Sequence, residues 1–519
     1  MASKNLSIIL NLHCPYIKVG QNDFSAYEAE SAFAFHQISR LLLPALDFLS
    51  LLKERKLGEK VGLVFSASLC ELLLDADIKK KYNKWLDNLI ELGKKECVRV
   101  KKDSDAAKTA AANFEAAEEC KRKYNELWSQ DLLAAFVSFA ASGQAEILST
   151  CGTYMFMPHY ADMTEVLNAQ VESGLMAIKQ NFGRASDGFF LPEMGYCPGV
   201  ESVIKSYGFS YALLPSQSFL FSDVPPANGV FMPARCQNGL SIFAAGGLDP
   251  ELYSSGPYRD SSIDLAWELS HKELLPYIKE GHPRARTFWS YKNLDGQPYS
   301  TAKALQKAGL DAEDFAQKAF ARLQKAQIML GDDANVSLCL ALDAKTLAFS
   351  WPEFFDWLAA LVPACQKAGV KLSAPNDLLE GNFNSQKISP YPAAFPEVSY
   401  GEDLLSSRNS WMIRYLRKAN ERIVDLVSRF PGDGGLKTRL LNLGARELLL
   451  AQDCSLAKMV GENDRSDYAA EFFKRGVVAF SNVFDALGSN TVSTEWFCGL
   501  EKLHPVMPWL NYRIFAKKK

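Results

Sequence analysis

Short apolar runs that alternate with helical patterns are the feature of this sequence that most constrains its fold. Nine such runs, rich in Ile, Val, Leu and Phe, are Leu6–His13, Val61–Ser66, Ala145–Thr150, Gly188–Glu193, Tyr211–Pro215, Ser241–Ala245, Arg286–Tyr291, Val336–Asp343 and Val370–Ala374. Strands without polar alternation are typical of a parallel sheet that helices cover on both faces. The pattern predicts an α/β fold. A closed barrel is favoured over an open doubly wound sheet, because no G-x-G-x-x-G motif follows the first strand.

Two segments interrupt this alternation and are predicted to be helical. Residues 75–140 are rich in Lys, Ala and Glu, which predicts an inserted helical subdomain with solvated charged faces. After Pro396 the apolar residues recur at three- and four-residue spacing through to the end of the chain. We therefore predict a barrel domain over 1–400, with a helical insertion at 75–140, and a C-terminal helical domain over 401–519.

The composition of the chain indicates which kinds of partner and which cell compartment to expect. The net charge is −3 and no basic stripe is present, so the sequence does not indicate a nucleic-acid-binding protein. The eleven cysteines form no C-x-x-C pair and no zinc-like spacing, which predicts reduced thiols and a cytoplasmic location. No apolar stretch approaches the roughly 18 residues that a membrane span needs, so no membrane association is predicted. We predict no metal and no cofactor.

One carboxylate stands at the end of an apolar strand. The run Phe189–Leu191 is predicted to be buried, and Glu193 follows it where Gly195, Pro198 and Gly199 form a turn. A parallel barrel carries its chemistry at such strand ends. Burial of a carboxylate there is costly unless the group is used, so Glu193 is a candidate catalytic residue.

A second carboxylate, Asp343, ends the apolar run that begins at Val336, and Trp351 follows it. Two strand-end carboxylates among aromatic residues suit glycoside hydrolysis. One acid attacks or stabilises the oxocarbenium-like centre, and the other protonates the leaving oxygen. An Asp after a strand is also a common helix N-cap, and this alternative stays open for Asp343.

Other residues are candidates for contact with a sugar ring. The first strand ends near His13 and Tyr16, and Tyr154 follows the third strand. Trp289 and Tyr291 end the predicted strand at 286–291 and have the flat apolar faces that stack on sugars. Packing in the core is the alternative for Trp289 and Tyr291, and a structural role is the alternative for His13.

These segments, in this order, resemble the motifs of glycoside hydrolase family fifty-seven, and its branching-enzyme members more than its amylases. The segments are His13-Cys14-Pro15-Tyr16, Gly143-Gln144-Ala145-Glu146-Ile147, Leu191-Pro192-Glu193-Met194-Gly195-Tyr196, Leu342-Asp343-Ala344-Lys345-Thr346-Leu347 and Ser373-Ala374-Pro375-Asn376-Asp377. The resemblance continues in the tail, at Ser410–Leu416, Ala445–Asp453 and Pro508–Arg513. It covers essentially the whole chain.

The resemblance implies a (β/α)7 barrel, an inserted helical subdomain and a C-terminal helical domain. It also implies retaining chemistry on α-1,4-glucans such as amylose or glycogen, with Glu193 as nucleophile and Asp343 as general acid/base. The substrate contacts it implies lie near His13, and we add Tyr16, Tyr154 and Trp351 to this set. Retention would require the two carboxyl groups to lie about 5–5.5 Å apart.

Some pocket positions differ from the family's usual residues, and they leave alternatives open. Asn11 and Tyr154 stand where histidines are frequent, and Ala348-Phe349-Ser350-Trp351 replaces a Gly-His-Trp element. We expect a glucan branching enzyme. The alternatives are an α-amylase or 4-α-glucanotransferase, a catalytically impaired glucan-binding protein, and a metal-dependent deacetylase on a similar barrel.

Overall fold

The computed structural model describes residues 3–18, 32–247, 256–278, 286–379, 385–396, 400–432 and 434–518. Its strands are β1 Lys4–Asn11, β2 Val61–Phe65, β3 Ala145–Ser149, β4 Gly188–Phe190, β5 Tyr211–Pro215, β6 Ala234–Cys236, β7 Ser241–Gly246, β8 Val336–Asp343, β9 Lys371–Leu372 and β10 Lys387–Ile388. Eight of the nine predicted strands are present, with ends that differ by up to three residues.

Helices connect these strands and make up the C-terminal region. Before residue 300 they are α1 Phe33–Gln37, α2 Leu43–Arg55, α3 Ala67–Leu74, α4 Ala76–Arg99, α5 Ser104–Arg122, α6 Leu132–Ala141, α7 Thr164–Phe182, α8 Val200–Ser206, α9 Ser216–Leu220, α10 Leu265–Glu268 and α11 His271–Leu274. After it they are α12 Thr301–Leu330, α13 Ala344–Ser350, α14 Phe354–Ala368, α15 Ser410–Arg429, α16 Gly435–Ala451, α17 Cys454–Glu462, α18 Ser466–Ser489 and α19 Thr494–Leu503.

The chain has the predicted α/β fold class, a (β/α)7 barrel of mainly parallel strands followed by a helical C-terminal region. It divides into two compact units that do not follow the predicted boundary near residue 400, so that boundary stays a prediction. The first unit contains residues 1–63, 72–146 and 246–381, and the second contains 64–71, 147–245 and 382–519. Within the described ranges, no helix is both long and apolar enough to cross a membrane.

In the first unit, β1 pairs in parallel with β8 along its whole length, from Lys4 opposite Val336 to Asn11 opposite Asp343. Strand β9 pairs in parallel with β1 on its other edge. The apolar side chains of β1 are buried on both faces of the strand, as the continuous apolar run predicts. The carboxyl ends of β1 and β8 are therefore adjacent.

In the second unit, β4 pairs in parallel with β5, and β5 with β7. Strand β6 runs antiparallel to β7 and parallel to β10. The sequence analysis did not predict the short strands β6 and β10. The C-terminal helices α16 and α18 pack on each other in the same unit.

The predicted strand at residues 286–291 is wrong, because these residues have irregular backbone. Their amides bind a side chain instead of a neighbouring strand. The Thr287 and Phe288 amides donate to the buried carboxylate of Asp264, at 2.9 and 2.8 Å. Phe288 has a φ of 57°, which an extended strand excludes.

Two glycines inside helices allow the effect of tight packing to be compared with that of helix propensity. A Cβ atom on Gly174, in α7, would lie 1.9 Å from the Thr150 carbonyl oxygen, whereas one on Gly309, in α12, would meet nothing within 4 Å. Propensity alone favours alanine at both positions by up to about 1 kcal/mol. We expect Gly309→Ala to be neutral or stabilising, and Gly174→Ala to lower the free energy of unfolding by about 3 kcal/mol through the clash with backbone. Urea unfolding of both variants measures this, and equal shifts would contradict the packing of α7.

Candidate active site

The backbone at Glu193 adopts a conformation that is rare for a residue with a side chain. Its φ and ψ are 49° and 27°, and Met194 after it has a φ of 50°. The turn is held from both sides: the Glu193 amide donates to the Tyr154 hydroxyl at 3.3 Å, and the Phe395 amide donates to the Glu193 carbonyl at 2.8 Å. Strained backbone that the surroundings hold in place is typical of functional sites.

Glycine is required next to this turn. A Cβ atom on Gly195 would lie 2.3 Å from the ring of Phe156, and one on Gly401 would lie 2.8 Å from the same ring. Phe156 is buried, so it has no space to yield. The glycine that the sequence analysis assigned to a turn therefore also allows an aromatic ring to pack directly against the backbone that follows Glu193.

A cation from the C-terminal helices pairs with the Glu193 carboxylate. The Lys458 ammonium, on α17, lies 3.2 Å from Glu193 Oε2 and 3.8 Å from Asp403 Oδ2. Only 14% of the Glu193 side chain is exposed, so this pair is partly shielded from water. Sequence reasoning missed Lys458 and Asp403, because neither belongs to a local motif and Lys458 follows Glu193 by 265 residues.

Tyr154 links Glu193 to α17. Its hydroxyl accepts from the Glu193 amide, and its carbonyl accepts from the Cys454 amide, at 3.2 Å, where α17 begins. The Asp453 carboxylate caps this helix through the Ser455 amide at 2.9 Å. The structure therefore brings together Glu193 and Tyr154, two residues that the sequence analysis proposed for the site.

A buried polar network anchors the loop that carries Tyr154. The Gln170 amide nitrogen donates to the Thr153 hydroxyl at 2.7 Å and to the Gln452 side-chain oxygen at 2.6 Å. The Gln452 amide nitrogen in turn donates to the Asn420 side chain at 2.6 Å. Buried polar networks of this kind specify one geometry, because each unpaired member would cost free energy. The loop is thereby held against α15 and α16.

In the first unit, His13 and Asp343 lie at the carboxyl ends of adjacent strands. Asp343 is the register partner of Asn11, and His13 follows Asn11 by two residues. The His13 amide donates to the Asn11 side-chain oxygen at 3.1 Å, and His13 is 1% exposed. The parallel pairing therefore places Asp343 at a strand end, as predicted, and His13 two residues beyond the end of the adjacent strand.

The Asp343 carboxylate caps α13. Its Oδ1 accepts from the Thr346 amide at 3.2 Å, and its Oδ2 accepts from the Thr346 hydroxyl at 2.6 Å. This is the N-cap geometry that the sequence analysis kept as an alternative. Capping occupies part of the carboxylate, and a carboxylate has about four acceptor positions in total. The observed cap is therefore compatible with a further role.

The Tyr16 hydroxyl is bound within the protein. It donates to Asp75 Oδ2 at 2.6 Å, and the buried Lys18 ammonium lies 3.3 Å from the same oxygen. Burial opposes the charged form of Asp75, but the hydrogen bond from Tyr16 and the charge of Lys18 outweigh it and lower the Asp75 pKa. The contact of Tyr16 with a substrate stays a prediction.

Three aromatic candidates pack within the first unit. Trp289 is 6% exposed and belongs to an apolar cluster with Leu89, while the Tyr291 hydroxyl donates to the Glu96 carboxylate at 3.0 Å. Trp351 is 3% exposed, with its ring 5.3 Å from that of Trp357. For Trp289 and Tyr291 these contacts favour the packing alternative. Substrate contact by any of the three remains a prediction.

His159, in the short 3-10 helix Met157–Tyr160, links the stability of the fold to pH. Burial, with a smaller contribution from the Arg417 charge, lowers its pKa from 6.5 to about 4. The unfolded chain therefore binds this proton at a higher pH than the folded chain, and stability falls as the pH drops from 6.5 to 4. The free energy of unfolding falls by up to about 3 kcal/mol across this range. We expect the melting temperature of His159→Gln to fall less than that of the wild type across this window. Parallel curves would contradict the assignment.

No three His, Cys, Asp or Glu side chains among the described residues are grouped as a metal site requires.

Two family models match the chain. The model of glycosyl hydrolase family 57 matches residues 7–392, and the model of the 1,4-alpha-glucan branching enzyme C-terminal region matches residues 415–515. A similar curated protein is a 1,4-alpha-glucan branching enzyme of Thermococcus kodakarensis, 22% identical over 94% of this chain and 74% of that protein.

Solved structures show the same fold. The alpha-amylase AmyC from Thermotoga maritima has a TM-score of 0.87 and 23% identity, covering 100% of both chains. A branching enzyme from Pyrococcus horikoshii has a TM-score of 0.85 and 18% identity, covering 99% of this chain and 97% of that one. Both likenesses support the barrel with its helical C-terminal region.

Proposed function

Because the chain belongs to glycosyl hydrolase family 57, we propose that it is a 1,4-α-glucan branching enzyme, which cuts an α-1,4 link and joins the released segment through an α-1,6 link. The observation that carries this choice within the family is the match of residues 415–515 to the C-terminal region of branching enzymes. The similar curated protein named a 1,4-alpha-glucan branching enzyme supports it. The net charge of −3 suits a neutral glucan, and free cysteines suit the cytoplasm.

We assign the chemical steps to the two strand-end carboxylates. A Glu193 oxygen attacks the anomeric carbon while the glycosidic bond breaks, and the Asp343 carboxyl gives its proton to the departing oxygen. The resulting glycosyl ester on Glu193 is then attacked by a 6-hydroxyl of an acceptor glucan, whose proton passes to Asp343. The new bond releases the Glu193 carboxylate. Asp343 thus serves as the acid in the first step and as the base in the second, as microscopic reversibility requires.

The Lys458 pair supports Glu193 as the nucleophile. A glutamate side chain is flexible when free, and the ammonium 3.2 Å away holds this carboxylate in place. Its positive charge also balances the negative charge of Glu193 before substrate binds. We infer that Lys458 is a positioning residue, supplied by the C-terminal helices to the turn after β4.

Lys458→Met is expected to lower kcat on amylose by about tenfold to a hundredfold, because a misplaced reacting group loses orientation. Lys458→Arg should recover part of this loss, since it keeps the charge. KM should change little in both variants. Lys418→Met is the control, because Lys418 is an exposed lysine of the same helical region that pairs with Glu421. A change confined to KM would instead mean that Lys458 contacts the substrate.

The test of the proposed function is product analysis after incubation with amylose. Branching predicts a fall of iodine colour with few new reducing ends, and a product that a debranching enzyme shortens. One solved structural neighbour is named an alpha-amylase, so hydrolysis must be distinguished. New reducing ends without branch points would establish hydrolysis. No change in either readout would favour the glucan-binding alternative.

A further inference from the structure

The C-terminal helical region contains a pocket of about 560 Å³ that shares no residue with the Glu193 turn. The end of α18, the loop after it and the first turn of α19 form its walls. Its polar and aromatic lining residues are Asn482, Asp485, Ser489, Thr491, Ser493 and Trp496. Pockets of a few hundred cubic ångströms with convergent polar groups are typical small-molecule sites.

Helix geometry and local hydrogen bonds fix the shape of this pocket. Asn482, Asp485 and Ser489 are three and four residues apart on α18, so they share one helix face. The Ser489 hydroxyl donates to the Asp485 carbonyl at 2.8 Å and contacts the Thr491 hydroxyl at 2.6 Å. Ser493 caps α19 by accepting from the Trp496 amide at 3.4 Å. The loop is therefore held by local hydrogen bonds.

The side chains of the pocket match one class of ligand. Trp496 is half-buried and presents a flat apolar ring with one N–H donor. The exposed side chains of Asn482 and Asp485 offer an amide and a carboxylate beside it, and the loop adds hydroxyl groups. The lining contains no lysine or arginine to attract an anion. This combination favours a neutral ring that carries hydroxyl groups.

We propose that this pocket is a second glucan-binding site, in which Trp496 stacks on a glucose unit and Asn482 and Asp485 bind its hydroxyl groups. The choice of glucan as the neutral ring rests on the proposed function. A polymer held at this pocket raises the effective concentration of its other segments for the same protein molecule. A short oligosaccharide gains nothing from such a tether. Binding at this site therefore favours the conversion of polymers over that of short oligosaccharides.

The test compares Trp496→Ala with Trp496→Phe, which keeps an aromatic ring, and with Val478→Ala on the same helix. Val478 is 56% exposed and does not line the pocket. Retardation in native gels containing amylopectin measures polymer affinity. We expect Trp496→Ala to raise the dissociation constant for amylopectin about tenfold, as for one lost aromatic contact. Trp496→Phe and Val478→Ala should stay within about twofold of wild type, and activity on maltoheptaose should be unchanged.

The outcomes separate this inference from the proposed function. Unchanged retardation of Trp496→Ala, with amylose conversion intact in the wild type, would overturn the second site alone. Trp496-dependent retardation by a protein that converts no glucan would overturn the proposed function and support the site. If Trp496→Ala unfolds, Asp485→Ala takes its place, since Asp485 is exposed on α18. It should weaken retardation as well, and full retention of affinity would contradict the site.

Discussion

Replacement of Glu193 by glutamine is expected to lower amylose turnover by about a thousandfold or more, since an amide cannot form the glycosyl ester. The two side chains have nearly the same shape. The turn is held by the backbone of Glu193, whose amide donates to the Tyr154 hydroxyl and whose carbonyl accepts from the Phe395 amide. The fold should therefore persist. Initial rates from iodine colour, together with the melting temperature, measure both parts of this prediction.

Glu201→Gln is the matched control for this variant. Its carboxylate lies eight positions further along and accepts from the Gly199 amide at 2.9 Å and the Tyr196 hydroxyl at 3.1 Å. It has a structural role near the same turn and no proposed part in the chemistry, so its turnover should stay near the wild-type rate. A fluorinated glycosyl fluoride should leave a covalent adduct on Glu193 in the wild type. An adduct on another residue would refute the assignment of the nucleophile.

Asp343→Asn is the second variant with a large expected effect, a loss of turnover of about a hundredfold or more, as for a lost general acid. Asparagine caps helices as well as aspartate does. The bond that caps α13, from the Thr346 amide to the Asp343 Oδ1, should survive in the variant, and the Thr346 hydroxyl can accept from the new amide nitrogen. We therefore expect turnover to fall while the free energy of unfolding stays near that of the wild type. Rate and urea-unfolding measurements on one protein sample test this.

Asp343→Ala distinguishes the role of Asp343 as general acid from its role as helix cap. It removes both the acid and the cap, so it should lose activity like the asparagine variant and also about 1 kcal/mol of stability. An α-glycosyl fluoride needs little protonation of its leaving group, so its first step should suffer least in Asp343→Asn. If the asparagine variant keeps full activity on amylose, helix capping is the whole role of Asp343.

Local patterns in the sequence were sufficient for eight of the nine predicted strands and for the position of Glu193 just after β4. The length of an apolar run and the Gly and Pro residues after it depend on neighbours a few positions away, and such patterns predict where a strand stops. The same reasoning placed Asp343 at a strand end, which the register with Asn11 confirms. It also kept the helix cap at Asp343 as an alternative, and the structure shows that cap.

Contacts between distant parts of the chain decided the remaining features. Lys458 reaches Glu193, Tyr16 binds Asp75, and the amides after Arg286 bind Asp264 in place of a strand partner. No periodicity or motif encodes these pairs, because each depends on where two separate segments meet in space. The sequence by itself therefore determined the fold class and the candidate carboxylates. Only the tertiary structure decided which cation pairs with Glu193, because that ion pair forms between side chains that folding brings together.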